Sequence, residues 1–315
     1  MNVGIIGYGS IGERHLKNIL KYHSNFNVKV LTKRKDLKNY GKVVFLSSER
    51  DFFSNQFDIF FVTNETHKHA STVLKCIKNL PKAIFVEKPI SHSFKNVENI
   101  KRQIEEHKIS FFIGYCLQFN SAIIKLKNIV RKKEVGDVLY IRISVGQDIR
   151  TWRDRDYKES YSYDSKKGGG VVLDLIHEIN YPAWILDESI DFVSGSVFKS
   201  GHFDMKAEDI SDSVFKTSKG KIVSVHQDCL QSVSRRYCEI VGTKGIAIWD
   251  SFNDGVKIIK KGHLPKTVKI TSNDIYKDEQ SFFIKKVKGG EYFNNIDEGI
   301  HDLKNVILLK KYGKR

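Results

Sequence analysis

Cysteine and proline are scarce, since the chain of 315 residues has four of each. Cys76, Cys116, Cys229 and Cys238 are widely separated and form no C-x-x-C pair. They therefore predict reduced thiols in a cytoplasmic protein, with no disulfide framework and no metal site. The few prolines leave no proline-rich linker along the chain.

Long apolar runs are also absent. None approaches the roughly 20 residues that a helix needs to cross a bilayer, and the N-terminus lacks the basic and apolar regions of a secretory signal. We therefore expect no membrane partner. Apolar residues make up 40% and charged residues 29% of the chain. This balance is typical of a globular enzyme, and the length allows two domains.

Acidic residues are outnumbered, which gives a formal net charge of +16. Such a charge is found in nucleic-acid-binding proteins, but the lysines are scattered through every segment, and no RNA-binding motif or zinc-finger spacing accompanies them. A solvated basic surface that attracts an anionic substrate or cofactor is favoured, with no nucleic-acid partner. A nucleic-acid-binding protein would need its lysines gathered on one face.

A glycine-rich motif, Gly7-Tyr8-Gly9-Ser10-Ile11-Gly12, follows a strand pattern at residues 2–6 and precedes a helical pattern. In a dinucleotide-binding fold these glycines allow a tight turn, a close approach to the pyrophosphate and close packing of helix on strand. The context predicts that Gly7, Gly9, Ser10, Ile11 and Gly12 bind NAD(P). The alternative is a glycine-rich turn without a ligand.

The order of strand and helix patterns predicts two domains. Strands alternate with helices in residues 1–117, which predicts an α/β Rossmann domain with a doubly wound sheet. Successive strand patterns in residues 118–315 predict an α+β domain with a mainly antiparallel sheet for substrate binding and oligomerisation. The last helix, residues 296–312, is expected to pack back toward the first domain.

Four further segments contain residues that are candidates for cofactor binding or catalysis. Thr63-Asn64, with His69, and Glu87-Lys88-Pro89 follow strands of the first domain, at the edge where an open α/β sheet binds its ligand. Gly114-Tyr115 closes the last strand of that domain, and Gly168-Gly169-Gly170 opens a predicted helix that carries Asp174 and His177.

In their order and spacing, these segments and the glycine motif resemble the glucose–fructose oxidoreductase and inositol dehydrogenase (Gfo/Idh/MocA) family. Asp174 and His177 are three residues apart, whereas many relatives place them four apart, and this spacing resembles a subgroup found with surface-polysaccharide genes. The resemblance implies NAD(P)-dependent oxidation or reduction of a carbohydrate-like substrate and a C-terminal open sheet. It also implies that Thr63, Asn64, His69, Glu87 and Lys88 bind the cofactor.

Hydride transfer at an alcohol carbon needs a group that takes or returns the hydroxyl proton. His177 can do so near neutral pH. Asp174, three residues earlier, is expected on the same helical face, where it can orient the imidazole. Lys88 can polarise the substrate oxygen, and in the family the Lys-Pro bond is commonly cis.

Each of these residues has a structural alternative. Lys88 can be a solvated lysine, His177 a structural histidine and Asp174 a local pairing residue. Asn64 can be a turn residue, and His69 can pack the helix start against the sheet.

The loop that precedes the triple glycine contains Trp152, Arg153, Arg155 and Tyr157. Arginine binds carboxylate or phosphate, and aromatic rings stack on sugars. With Tyr115, Lys88 and His177, these residues predict a site for a sugar, sugar acid or nucleotide sugar. A solvated charged loop is the alternative.

Three positions depart from the common family pattern. Asn180 stands where a carboxylate is frequent, and Gln118 and Asn120 replace a frequent arginine and histidine. Because of these departures, the family pattern does not tell which residues form the proton relay or which substrate is bound.

The second strand is followed by Thr32-Lys33-Arg34-Lys35, without the carboxylate that usually binds the ribose 2′-hydroxyl of NAD. Thr32 and Arg34 can bind a 2′-phosphate instead. The sequence therefore favours NADP over NAD.

The open sheet of the family predicts a homodimer or homotetramer, because an exposed apolar sheet face is normally covered by a partner. Val223, Val225 and Ile246 are the predicted residues of that face. A different class, a cofactor-binding sensor or scaffold without turnover, stays open. The lysine, aspartate and histidine argue against it, since a pure binder needs only the first domain.

Overall fold

The structure, a computed structural model, describes residues 1–153 and 155–313. Within them the chain forms fourteen β-strands and nine α-helices. The strands are β1 (Asn2–Ile6), β2 (Asn27–Leu31), β3 (Val44–Leu46), β4 (Ile59–Val62), β5 (Ala83–Glu87), β6 (Ser110–Gly114), β7 (Val138–Asp148), β8 (Ile190–Phe198), β9 (Ile210–Thr217), β10 (Ile222–Asp228), β11 (Leu230–Gly242), β12 (Gly245–Asp250), β13 (Gly255–Ile259) and β14 (Lys266–Lys269). The helices are α1 (Ser10–Tyr22), α2 (Glu49–Phe53), α3 (His69–Ile77), α4 (Val97–Glu106), α5 (Ser121–Arg131), α6 (Val171–Asp174), α7 (His177–Leu186), α8 (Ile275–Lys288) and α9 (Ile296–Tyr312).

The chain divides into two compact units. Unit 1 contains Met1–Gly114 and Tyr276–Leu303. Unit 2 contains Tyr115–Ile275 and the residues from Lys304 onward. No helix in the described part of the chain has both the length and the apolar character needed to cross a membrane.

Unit 1 is built on a parallel sheet with the strand order β3-β2-β1-β4-β5-β6. Every residue of β4, β5 and β6 is buried, as expected for strands whose two faces are both covered. This order confirms the Rossmann prediction. The carboxyl ends of β1, β4, β5 and β6 lie at one edge of the sheet, which brings together the loops that follow them.

Helix α8, which the sequence patterns did not predict, packs on this sheet through an aromatic cluster. The Phe283 ring lies 5.6 Å from Phe61 and 5.5 Å from Phe85, and all three side chains are fully buried. Burying an aromatic side chain of this size stabilises a fold by roughly 2 kcal/mol. These contacts hold α8 beside the strand that ends in Glu87.

Unit 2 contains an eight-stranded sheet with the order β14-β13-β12-β11-β7-β10-β9-β8. All neighbouring strands are antiparallel except β7 and β10. This topology confirms a second domain with a mainly antiparallel sheet. Helix α7 contacts β7 and β10, whereas the opposite face, which we call the open face, carries half-buried and exposed side chains such as Arg142, Ser224 and His226.

The prediction that Val223 and Val225 line the open face was wrong. Both are at most 2% exposed, because the alternation along β10 directs Ser224 and His226 to the open face and the valines to the covered one. Ile246 does lie on the open face, since its neighbour Ala247 is the buried member of the alternation on β12.

The predicted helix that carries both Asp174 and His177 is divided in two. Helix α6 ends at Asp174 and α7 begins at His177. The side chain of Gln227, on β10, donates to the Leu175 carbonyl oxygen at 2.6 Å. The Ile179 amide bonds to the Ile176 carbonyl instead of that of Leu175. The prediction of one continuous helix that carries Asp174 and His177 was therefore wrong.

Candidate active site

The loop between β1 and α1 approaches its surroundings closely at two glycines. Gly7 has a φ of +99°, and a Cβ there would lie 2.6 Å from the Cα of Asn64. A Cβ on Gly12 would lie 2.2 Å from the Gly7 carbonyl oxygen. Gly9 differs, because a Cβ added there would meet no described atom within 4 Å. Steric contact thus requires glycine at two positions, and the third borders open space.

Gly9 is also the N-cap of α1, and no described side chain caps this end of the helix. Ser10 is exposed and Ile11 is half-buried beside it. The first amides of a helix bind anions, since they lack acceptors within the helix. Uncapped amides beside open space fit the pyrophosphate of a dinucleotide.

The loop after β4 is fastened to the glycine loop. The Thr63 hydroxyl donates to the Gly7 carbonyl oxygen at 2.8 Å, and the Asn64 amide nitrogen donates to Thr72 Oγ1 at 2.8 Å. The Asn64 Oδ1 atom is buried and has no hydrogen-bond partner among the described residues. Asn64 therefore offers an oriented acceptor beside the glycine loop.

His69 joins two loops of this edge. Its ring nitrogens lie 2.7 Å from the Pro89 carbonyl oxygen and 2.9 Å from that of Asn64. Burial lowers the pKa of His69, and the hydrogen bonds to the two carbonyls oppose that shift. Because both nitrogens face backbone oxygens, this geometry suits a residue that holds the loops after β4 and β5.

Glu87 and Lys88 end β5 at the same edge. Glu87 is 9% exposed, and its Oε1 lies 2.8 Å from Nε2 of the fully buried His15. Lys88 is half-buried and is joined to Pro89 by a cis peptide bond. The glycine loop, Asn64 and Lys88 thus all belong to the carboxyl edge of one parallel sheet.

The residues after β2 form a small polar cluster. The Arg34 amide donates to Thr32 Oγ1 at 3.1 Å, and its guanidinium donates to the Tyr8 carbonyl oxygen at 3.2 Å. The same guanidinium pairs with Asp36, with Nε 3.1 Å from Oδ1. Hydrogen bonding to Arg34 lowers the pKa of Asp36. The Arg34 guanidinium is therefore paired with the Asp36 carboxylate, and a ligand that approaches one group also approaches the other.

His177 lies in a buried part of unit 2. It is 7% exposed, and its Nε2 lies 3.6 Å from the Sγ of Cys116. The ring of Tyr115, which is 1% exposed, packs edge-on at 6.2 Å. A thiol and a phenol ring therefore fix the plane of the imidazole.

The surroundings of His177 are rigid and charged. The next residue, Glu178, is fully buried and accepts from Arg236 Nε on β11 at 2.6 Å. Against the effect of burial, the charge of Glu178 raises the pKa of Arg236. Asp174 is also buried, at 8% exposure. The start of α7 is thus anchored to the sheet through an ion pair.

The predicted substrate loop is ordered by its own contacts. Arg153 donates to Ser162 Oγ at 2.9 Å and stacks on the Tyr161 ring at 4.7 Å. Tyr157 packs against Phe203 at 5.6 Å. Arg155 is exposed, and the half-buried Trp152 has an Nε1 without a partner among the described residues. Asp154 lies outside the described residues.

Comparison with known families accounts for both units. A model described as an oxidoreductase family with an NAD-binding Rossmann fold matches residues 1–115. A model of the Gfo/Idh/MocA C-terminal domain matches residues 123–248. The chain belongs to the Gfo/Idh/MocA family. It is therefore a member of an oxidoreductase family, as the sequence motifs implied.

Individual relatives are distant but cover nearly the whole chain. A myo-inositol 2-dehydrogenase of Thermotoga maritima is 23% identical over 310 residues, with 92% of this chain and 89% of the relative covered. A myo-inositol 2-dehydrogenase structure from Lactobacillus plantarum matches with a TM-score of 0.83 at 18% identity, covering 99% of this chain and 97% of that one. A variant of a 3-ketoreductase from Actinomadura kijaniata, solved with TDP-benzene and NADP, gives 0.85 at 15% identity and covers 100% and 98%.

The departures from the family pattern have structural roles. Gln118 donates through Nε2 to Asn180 Oδ1 at 3.0 Å, so the two changed positions contact each other. Asn120 caps α5, where its Oδ1 accepts from the amides of Ala122 and Ile123. An amide pair thus occupies the two positions for which the family resemblance implied an arginine and a carboxylate.

Sequence reasoning missed three residues of this site. Cys116 was read only as a reduced thiol, and His15 was read only as part of a helical pattern. Their partners His177 and Glu87 are 61 and 72 residues away, so no local signal marks them. Asp36 did leave a signal, because it stands two residues after Arg34 and can pair with it locally.

Proposed function

We propose that this member of the Gfo/Idh/MocA family transfers a hydride between a nicotinamide cofactor and a hydroxyl or ketone carbon of a sugar, sugar acid or nucleotide sugar. The observation that carries the proposal is the sheet edge of unit 1, where the glycine loop, the Asn64 acceptor and Lys88 occur together. When bound, the nicotinamide supplies or accepts the hydride.

The proton is handled by residues of the chain. Lys88 donates a hydrogen bond to the substrate oxygen and stabilises negative charge that develops there. His177 accepts the hydroxyl proton during oxidation and returns one during reduction. The packing of Cys116 and Tyr115 around the imidazole supports this role, because a general base must be held in a defined orientation. We assign to Asp174, at the end of α6, the role of orienting the imidazole.

For the cofactor we propose contacts from Gly7, Gly9, Ser10, Ile11, Gly12, Thr63, Asn64, Glu87 and Lys88. His69 acts by holding the Asn64 and Pro89 loops. We further propose that NADP is preferred over NAD, through Thr32 and Arg34. Asp36 weakens this preference, because it shares the Arg34 guanidinium. Titration with NADPH and NADH tests the preference for NADP. Binding of NADH that equals or exceeds that of NADPH contradicts the preference.

For the substrate we propose a sugar that carries an acidic or phosphorylated group. Arg155 is exposed and Trp152 retains an indole N–H for a ligand, while Arg153 and Tyr157 shape the loop. The Actinomadura ketoreductase variant was solved with TDP-benzene, a nucleoside diphosphate derivative, and this supports a nucleotide sugar as the substrate. Tyr115, beside His177, completes the proposed contacts.

We also propose a homodimer or homotetramer in which a second copy covers the open face of unit 2. A depression of about 540 Å³ on this face is lined by residues that include Arg142, Ser194, Asp212 and His226. A monomer mass at micromolar concentration contradicts this proposal.

A screen tests the function itself. Melting temperature is measured with sugars and nucleotide sugars in the presence of NADP(H), and compounds that raise it are assayed for absorbance change at the nicotinamide band. Turnover of a carbohydrate supports the proposal. Turnover of a non-sugar carbonyl compound alone contradicts the substrate class, and cofactor binding without any turnover favours a sensor or scaffold.

A further inference from the structure

Four polar side chains form a buried cluster in unit 1, which we call the α8 network. Glu279 and Gln280 belong to α8, His15 belongs to α1, and Glu87 ends β5. Glu279 and His15 are fully buried, and Gln280 and Glu87 are 1% and 9% exposed. The network connects the helix that follows the glycine loop with the residue that precedes Lys88.

Gln280 determines the tautomer of His15. Its Nε2 lies 3.1 Å from the His15 carbonyl oxygen, which can only accept, so this atom is the amide NH₂ group. The same nitrogen lies 3.2 Å from Nδ1 of His15. Nδ1 is therefore an acceptor, and the imidazole carries its proton on Nε2. That proton is donated to Glu87 Oε1 at 2.8 Å.

Glu279 has a different environment from the other members. No donor among the described residues reaches either of its oxygens. A Cβ on Gly114 would lie 3.5 Å from its Oε1, and Gly114 pairs with Glu87 in the register of β5 and β6. The two carboxyl groups are thus neighbours in a buried place. Two negative charges there would be unsolvated and repulsive.

We propose that Glu279 is an uncharged acid that donates its proton in a hydrogen bond to the Glu87 carboxylate, so that the α8 network orients Glu87 and positions Lys88. Burial and the Glu87 charge raise the pKa of Glu279 well above its usual range, in agreement with this assignment. The proposed effect on Lys88 rests on the function proposed above; the uncharged state of Glu279 does not.

The other groups around Glu279 leave Glu87 as its titrating neighbour. Glu87 on β5 is the residue whose charge acts on Glu279. His15 approaches the same carboxylate from α1, while β6 contributes Gly114 at this point and α8 contributes Gln280, neither of which titrates. A pH dependence that is lost with Glu279 therefore reports on this pair of carboxyls.

The first test needs no activity. The raised folded-state pKa means that wild-type stability is fully present below the unfolded pKa and is lost as the pH rises toward the folded value. Glu279→Gln is neutral at all pH values. The melting temperature of Glu279→Gln should therefore rise relative to that of wild type by roughly 2 °C for each pH unit in that window. Glu291→Gln, which removes an exposed carboxylate, is the control and should show no such trend. A constant difference between Glu279→Gln and wild type overturns the uncharged state.

The second test separates hydrogen bonding from packing. Glu279→Gln keeps a donor, whereas Glu279→Leu has a similar size and none. With a turned-over substrate, kcat of Glu279→Gln should stay within about threefold of wild type. That of Glu279→Leu should fall about tenfold with KM for the sugar nearly unchanged, because the Glu87 carboxylate loses a buried donor. Equal kcat values for the two variants overturn the positioning role. A wild-type protein without turnover on any carbohydrate contradicts the proposed function instead, and the pH series still decides the state of Glu279.

Discussion

The candidate functional residues of unit 1 and those of unit 2 are held in place by different kinds of contact. In unit 1, the glycine loop depends on backbone: Gly7 and Gly12 have no room for a side chain. In unit 2, the surroundings of His177 depend on side chains. There Gln118 contacts Asn180, at two positions for which the family resemblance implied charged residues. A site made of backbone therefore accepts almost no change of sequence, whereas a site made of side chains can exchange one matched pair for another.

The largest effect is expected from a methyl group added to the glycine loop. Gly12→Ala places a Cβ 2.2 Å from a carbonyl oxygen. It should lower the free energy of unfolding by roughly 1–3 kcal/mol and weaken NADPH binding about 100-fold, the scale that a displacement of about 1 Å costs a positioned group. Thermal melting and a fluorescence titration measure the two effects.

Gly9→Ala is the matched control for that variant. Its Cβ meets no described atom within 4 Å, and the backbone φ of −84° suits alanine. Stability should change by less than about 1 kcal/mol, while NADPH binding weakens at least about tenfold because the methyl group occupies the space left for the pyrophosphate. Wild-type affinity in Gly9→Ala would show that no phosphate occupies this space.

A smaller effect is expected after β2, where unit 1 does rely on side chains. Arg34→Ala should raise the Kd for NADPH about tenfold and that for NADH by less than about threefold, because a charge-assisted contact with the 2′-phosphate is lost. Asp36→Asn, which releases the guanidinium, should tighten NADPH binding. If both cofactors weaken equally in Arg34→Ala, the residue supports the fold or the adenine and does not select the phosphate.

The smallest effect is expected in unit 2, from changes to the Gln118–Asn180 pair. Gln118→Arg and Asn180→Asp should each destabilise the protein by about 1 kcal/mol, since each places an unmatched charge beside an amide. The double variant should recover part of this loss, with a coupling energy of roughly 0.5–3 kcal/mol in a double-mutant cycle. Strictly additive changes in stability would show that the two positions are independent.

The same contrast explains what could be predicted from the sequence. The strand predicted at residues 2–6 coincides with β1 (Asn2–Ile6), because buried parallel strands are nearly continuous apolar runs. The glycine motif was recognisable because its residues are contiguous. Such signals are local, and so is the structure that they encode.

The features that were missed depend on distant parts of the chain. Gln227 donates to the Leu175 carbonyl, between α6 and α7, from a position 52 residues away. Cys116 meets His177 across 61 residues, and Gln280 meets His15 across 265. The face assignment of β10 failed because alternation alone does not say which side the helices cover. Periodicity and motif spacing contain none of this information.

The most direct measurement compares cofactor binding with turnover in Lys88→Ala and His177→Ala. In the proposed function the glycine loop provides most of the contacts to the pyrophosphate and Lys88 adds one contact to the cofactor, while His177 handles the proton and Lys88 the substrate oxygen. Both variants should bind NADPH with a Kd within about threefold of wild type, while kcat with a turned-over sugar falls by roughly 100-fold or more. Turnover near the wild-type rate in both variants would contradict the account.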